Sequence, residues 1–180
     1  MRVLAGLVGL LVVGTAHATV IEKLALDGLV AQAEAIVVGR VLDRTSHFEG
    51  RRIFTQVRIE TEAVLKGSPP AIVTIEVLGG EVDGIAQKVS GMAAFEPGEQ
   101  VAVFLERQGA HFQTVGLAQG KLRIEADLRG VRLVRSFEGL TLVERDAAGT
   151  LVPATTVLPT DQPLSSFLVD LAAVLQPKTP

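Results

Sequence analysis

The sequence predicts a mainly β domain, a small β-barrel or β-sandwich, with a short helix near the N-terminus and an amphipathic helix at the C-terminus. Three patterns indicate this class. From Ile53 to Leu65 apolar and polar residues alternate strictly, as in a strand with one face on the core and one in water. Short strand-like runs recur roughly every ten residues, which is typical of sandwiches and barrels. From Leu164 onward, apolar residues recur at helical spacing instead.

The first part of the chain predicts one helix and two strands. Residues 19–34 contain a short amphipathic segment that Asp27 can cap as a helix. Residues 35–42 are nearly all apolar and rich in Val, which favours a strand buried on both faces, and a polar turn is predicted at 43–50. The strand at 53–65 exceeds the usual strand length, so we expect it to bend around a barrel.

The rest of the chain predicts short strands separated by glycine and proline. Pro97 and Gly98 fit a type II turn, because Gly98 can adopt a positive φ. Residues 153–163 are extended and rich in breakers, and Pro163 fits the first turn of a helix with apolar residues from Leu164 to Leu175. The remaining predicted strands are 71–78, 85–89, 100–106, 111–117, 121–126, 131–135 and 140–145.

The N-terminal segment has the three parts of a secretory signal peptide. Arg2 supplies a positive charge, residues 3–13 are aliphatic or glycine, and Ala16-His17-Ala18 forms a small-x-small cleavage site. A spanning helix needs about 20 apolar residues, and this run is shorter. We therefore expect cleavage after Ala18 and a secreted or periplasmic protein without a membrane span. The predicted division is a signal peptide at 1–18, a β-barrel-like domain at 19–152, and a linker with the C-terminal helix at 153–180.

The composition excludes several kinds of chemistry. The sequence contains no Cys, so disulfides, thiolate zinc sites and cysteine nucleophiles are excluded. Its 17 basic and 20 acidic side chains give a formal net charge of −3 with no block of Lys or Arg, which argues against nucleic acid as a partner. Trp and Tyr are absent, so aromatic platforms for sugars or bases are not expected.

Short motifs carry two resemblances. Residues 35–41, followed by Phe54-Thr55-x-Val57-x-Ile59 and Val64-Leu65-Lys66-Gly67, resemble the first two strands of netrin-like domains and of tissue inhibitors of metalloproteinases. That resemblance implies an OB-like barrel. The stretch from Ala35 to Leu105 as a whole also resembles an uncharacterised family of exported bacterial proteins. The motifs shared with that family are Gly79-Gly80, Val89-x-Gly91, Phe95-x-Pro97-Gly98-Glu99 and Gly116-x-x-Gln119-Gly120-Lys121.

Candidate catalytic and metal-binding residues are sparse. His47 lies in a predicted turn, His111 lies at a hairpin edge, and no G-x-S-x-G element surrounds a serine. Glu81 and Asp83 lie among glycines, as in calcium loops, but their spacing matches no EF-hand and a solvated turn is the favoured interpretation.

Two further motifs are interpreted as structural and not as functional. Glu96 and Glu99 are interpreted as turn residues, since no aromatic side chains suggest a sugar cleft. Gly116 and Gly120 are interpreted as bend or bulge residues of a barrel, because the segment through Lys121 lacks the Ser or Thr that ends a phosphate loop. We therefore predict no catalytic residue, no metal and no cofactor.

The expected function is an exported, non-catalytic binding module, with a secreted protease or another envelope protein as candidate partner. Netrin-like inhibitors act through an N-terminal Cys whose amine chelates the protease zinc, and Thr19 takes that position here. The candidate binding residues are Thr19, Val20, Glu81 and Asp83. One alternative is a small metal-dependent or hydrolytic enzyme in which Glu76, Glu81, Asp83 and His111 converge. The other is an envelope-associated structural protein, with the C-terminal helix as a docking element.

Overall fold

The computed structural model describes residues 18–128 and 130–176, which form thirteen strands and two α-helices. In chain order the strands are β1 (Thr19–Glu22), β2 (Ala35–Glu49), β3 (Arg52–Lys66), β4 (Ile72–Leu78), β5 (Gly80–Val82), β6 (Ile85–Gln87), β7 (Gln100–Gln108), β8 (His111–Thr114), β9 (Lys121–Asp127), β10 (Gly130–Val134), β11 (Leu140–Arg145), β12 (Leu151–Pro153) and β13 (Asp161–Pro163). The helices are α1 (Leu26–Gln32) and α2 (Leu164–Leu175), and one turn of 3-10 helix (Leu117–Gly120) precedes β9. The predicted mainly β class with two terminal helices is confirmed. The predicted signal peptide lies outside the described residues, apart from Ala18.

Five strands are joined edge to edge in a closed ring. β2, β3 and β4 form an antiparallel meander, and β4 pairs in parallel with β8 through Ile75 and Phe112. β7 closes the ring by pairing antiparallel with both β8 and β2. This closure makes the fold barrel-like, within the small barrel or sandwich class that the sequence predicts. β9, β10 and β13 extend the same eight-stranded sheet beyond β7.

The β2–β3 hairpin is longer than its sequence pattern indicated. Each strand spans 15 residues. Register shifts interrupt their pairing at three points between Ile36 and Asp43, and such irregularities bend long strands around a core. The predicted turn at 43–50 is wrong, because β2 continues to Glu49 and the chain turns at 50–51. The polar residues from Asp43 onward stay extended because each pairs with a residue of β3.

Two buried clusters lie on opposite faces of the large sheet. The barrel interior contains mainly β-branched side chains, such as Val37, Ile59 and Val103. The opposite face packs against α1 and α2, where the rings of Phe104 and Phe167 meet edge to face with centroids 6.3 Å apart. The helix α2 is therefore a core element on its inner face. In the described part of the chain, neither helix has the length and apolar character that crossing a membrane requires.

Two smaller sheets complete the fold. β1 pairs in parallel with β11, which also pairs with β12, and the sequence analysis did not predict a strand at β1. β5 and β6 form a hairpin around Asp83 and Gly84, whose positive φ values of 51° and 77° fit a type I′ turn. The predicted helix within 19–34 is confirmed as α1, although Ala25 occupies the cap position that was assigned to Asp27.

Candidate functional site

A cavity of about 760 Å³ lies beside the barrel, and we call it the main cavity. Residues 88–94 form one wall, Lys121 and Arg123 of β9 form a second, and Ser136 and Gly139 belong to a third. Ligand pockets commonly have volumes of about 300–1,000 Å³. The main cavity is therefore the candidate binding site of the described chain.

The main cavity lies on the face of the sheet opposite the helices. Lys121 and Arg123 pair with Val103 and Val101, two residues that point into the barrel. Because side chains alternate along a strand, both cationic side chains leave the sheet on the barrel side. Leu122, between them, packs with the helices.

An almost buried ion pair lies at this cavity. Lys121 Nζ contacts both carboxylate oxygens of Glu99, at 2.7 and 2.8 Å, and also donates to the carbonyl oxygen of Ala94. Only 14% of the Lys121 side chain and 9% of the Glu99 side chain are exposed. The ammonium also lies 4.8 Å from the centroid of the Phe95 ring, within cation–π range. Two motifs that are separate in sequence, 95–99 and 116–121, are thus joined.

Lys121 is a positioning residue at this site. Burial lowers the pKa of its ammonium below the usual 10.5, and the hydrogen bond and charge of Glu99 oppose that shift. Its charge is committed to the ion pair, which fixes β9 to the turn at 96–99. That turn is the predicted type II turn: Gly98 has a φ of 84°, and Glu99 N donates to Glu96 O at 3.0 Å.

Two glycines bring the wall at 88–94 against the segment that precedes β11. Gly91 and Gly139 have φ values of 80° and 75°, a region that favours glycine. A Cβ atom on Gly139 would lie 2.8 Å from the amide nitrogen of Gly91, so the two backbones can approach only without side chains. Gly91 O also accepts a hydrogen bond from Ala118 N at 3.0 Å. The Val89-x-Gly91 motif is therefore a close backbone contact.

Of the candidate binding residues, Thr19 lies at the edge of the main cavity. Its amide nitrogen donates to Gly139 O at 2.8 Å, and its hydroxyl donates to Ser90 O at 2.7 Å. Ala18, just before it, lines the main cavity. The side chain of Val20, by contrast, points to solvent and is 63% exposed.

Glu81 and Asp83 lie elsewhere, exposed on the β5–β6 hairpin, and neither lines the main cavity. His111 Nε2 lies 4.0 Å from Glu76 Oε2. Across residues 18–128 and 130–176, no three His, Cys, Asp or Glu side chains lie close enough to hold a metal ion. The convergence of Glu76, Glu81, Asp83 and His111 that the enzyme alternative requires is therefore not found.

Lys88, Arg123 and Ser136 also line the main cavity, although no sequence pattern had predicted them as site residues. Lys88 forms an ion pair with Glu138 at 3.2 Å, and both residues line the cavity, so the lining carries acidic and basic groups together. Comparison of the chain with protein-family models, with curated proteins and with solved structures gave no match.

Proposed function

We propose that this chain is an exported, non-catalytic module that binds a segment of a partner protein in the main cavity. The construction of the cavity carries this proposal. Residues far apart in sequence meet there and are held by the Lys121–Glu99 ion pair and by the contact between Gly91 and Gly139. A wall that is fixed before a ligand arrives lowers the entropic cost of binding.

The chemistry of the wall supports a peptide segment as the ligand. Lys88 and Lys121 each face a carboxylate of this chain, so the cavity lacks the concentrated positive charge that a polyanion would need. Residues 88–94 lie outside regular strands and helices, and they offer peptide groups beside the side chains of Val89 and Met92. An extended segment of a partner presents the same mixture of amides and apolar side chains.

The predicted cleavage after Ala18 supports the proposal. Cleavage after this residue would remove it from the cavity wall and would leave the new α-amino group at Thr19, 2.8 Å from Gly139 O. Since the amide nitrogen and the hydroxyl of Thr19 both bind within the chain, the mature N-terminus would form part of the wall. A secreted protease would then contribute the bound segment, in contrast to inhibitors whose N-terminus enters the protease.

Affinity capture with matched variants tests the proposal. The mature chain, residues 19–180, is immobilised and incubated with envelope and secreted proteins of the producing bacterium. Ser136→Trp places a large ring in the cavity, while Ser165→Trp makes the same change on the exposed side of α2. We expect Ser136→Trp to reduce the captured partner by about tenfold or more and Ser165→Trp to leave it unchanged. Equal capture by both variants would contradict the proposal.

A second experiment identifies the class of partner and tests the role of cleavage. Casein hydrolysis by the secreted proteases is measured with and without the mature chain, and again with a chain that retains Ala18. Inhibition by the mature chain that weakens when Ala18 is retained supports a protease partner at the main cavity. Capture without any inhibition points to another envelope protein. Inhibition unaffected by Ala18 would show that the N-terminus is not part of the site.

A further inference from the structure

Arg135 is a buried cation on the helix-covered face of the large sheet. It follows β10, and its position two residues after Leu133 places both side chains on the same face. Leu133 packs there with the helices, and Arg135 keeps only 3% of its surface in contact with solvent. Its backbone nitrogen donates to Thr160 O at 2.8 Å.

The guanidinium of Arg135 has donors without acceptors. Nε and Nη1 are buried and have no hydrogen-bond partner among the described residues, and no carboxylate of those residues forms an ion pair with Arg135. The ring of Phe137, whose centroid is 5.9 Å from Cζ, is the aromatic contact of the cation. Burial lowers the pKa of the guanidinium to about 10, so the group is still charged at neutral pH. A buried charge without a partner is strongly unfavourable.

We propose that Arg135 is the recognition residue of an oxyanion site, which takes a carboxylate or phosphate group of a small ligand. A guanidinium offers five N–H donors in a planar arrangement that matches the oxygens of these two groups. An oxyanion would supply both the missing acceptors and the missing negative charge. The N–H groups of Nε and Nη1 have no partner among the described residues and are therefore free to bind such a ligand.

This site is independent of the main cavity and of the function proposed for it. Val134 and Ser136, the two neighbours of Arg135 in sequence, line the main cavity from the other face of the chain. A ligand would reach Arg135 beside residues 154–160, which join β12 to β13 and end at Thr160, whose carbonyl accepts the Arg135 amide proton. Irregular segments of this kind open more readily than strands inside a sheet.

Thermal unfolding of the mature chain tests the site with three simple salts. The melting temperature is measured in sodium phosphate, sodium acetate and sodium chloride at equal ionic strength. Oxyanion binding should raise the melting temperature of the wild type by about 2–4 °C relative to chloride. Arg135→Met should lose this increment. Arg58→Met, which removes an exposed arginine on β3, should retain it and so corrects for general salt effects.

Arginine Nε–H resonances in the wild-type chain provide a second readout that needs no variant to fold. Titration with phosphate or acetate should shift the Arg135 signal saturably while the Arg58 signal stays in place. A response to phosphate alone assigns a phosphate site, and a response to both salts assigns a general oxyanion site. Equal melting increments in Arg135→Met and Arg58→Met, or an Arg135 resonance that neither salt moves, would overturn the proposal.

Discussion

Lys121 begins β9 and Arg135 directly follows β10, the next strand of the same sheet, and the two buried cations lie on opposite faces of that sheet. On the cavity face, Lys121 is held by the carboxylate of Glu99 and by the carbonyl of Ala94. On the helix face, Arg135 is buried beside the ring of Phe137, and two of its nitrogens have no acceptor in the described chain. Burial lowers the pKa of both groups, but only the shift of Lys121 is opposed by a carboxylate.

The presence or absence of a partner distinguishes a charge that stabilises the fold, as at Lys121, from a charge that can bind a ligand, as we propose for Arg135. A buried charge with a complete partner set fixes its neighbours, and the Lys121–Glu99 pair fixes the geometry of the main cavity. A buried charge without partners destabilises the fold unless something outside the chain compensates it. The two faces should therefore respond with opposite signs when their cation is replaced by an apolar side chain.

The largest expected effect is on the cavity face. Lys121→Met leaves Glu99 buried without a counter-charge, and breaking a buried pair in this way lowers the free energy of unfolding by about 3–5 kcal/mol. Urea unfolding at neutral pH measures the change. Lys88→Met is the matched control, because its ion pair with Glu138 is exposed and such pairs contribute about 0–1 kcal/mol. Similar small losses in both variants would mean that water solvates the Lys121 pair.

On the helix face the expected sign is opposite. Arg135→Met replaces a buried, unpaired guanidinium with an apolar side chain, and it should raise the free energy of unfolding by about 1–4 kcal/mol in chloride buffer. The same urea experiment measures it. A loss as large as that of Lys121→Met would show that the chain itself stabilises this cation, and the comparison between the faces would fail.

The strands of the large sheet were largely predictable because alternation reports burial of one face. The alternation of apolar and polar residues does not predict a strand where that strand extends beyond the core. The polar half of β2 was therefore interpreted as a turn, although it pairs with β3. Alternation also failed for β1, a strand of four residues whose partner β11 lies about 120 residues later in the chain. Pairing over such distances leaves no local signal.

Lys121 and Arg135 show how far the sequence alone can predict site residues. The partners of Lys121 lie 22 and 27 residues away, so local patterns predict a turn at 96–99 but not the ion pair. The sequence around Arg135 does contain such a pattern. In the predicted strand 131–135, Arg135 lies on the same face as Val131 and Leu133, so the pattern places a charged side chain on the apolar face of the strand. A charged residue on the predicted apolar face of a strand indicates that either a buried partner or a ligand compensates its charge.

A smaller effect tests how tightly the cavity face is built. Gly91→Ala and Gly98→Ala both place a side chain at a positive φ, of 80° and 84°. A Cβ on Gly98 meets nothing within 4 Å, whereas one on Gly91 would overlap the Leu140 side chain. We expect a loss of about 1 kcal/mol for Gly98→Ala and an additional 1–3 kcal/mol, roughly, for Gly91→Ala. Equal losses in urea unfolding would mean that the Leu140 side chain moves aside at little cost and does not hold the wall at 88–94 in place.

The smallest expected effect concerns the segment 154–160 on the Arg135 side, and it appears only as a dependence on pH. Lys23 and the amide and hydroxyl of Thr155 hold the pKa of Glu144 at about 2, below its usual 4.5. Because the folded pKa is depressed, the stabilisation is present above pH 4.5 and is lost as the pH falls towards 2. Glu144→Gln should therefore lower the urea midpoint slightly at pH 7, and the midpoints of wild type and variant should converge near pH 2. Glu138→Gln, at an exposed pair, serves as control, and a difference that stays constant across this range would exclude the titration of Glu144 as its cause.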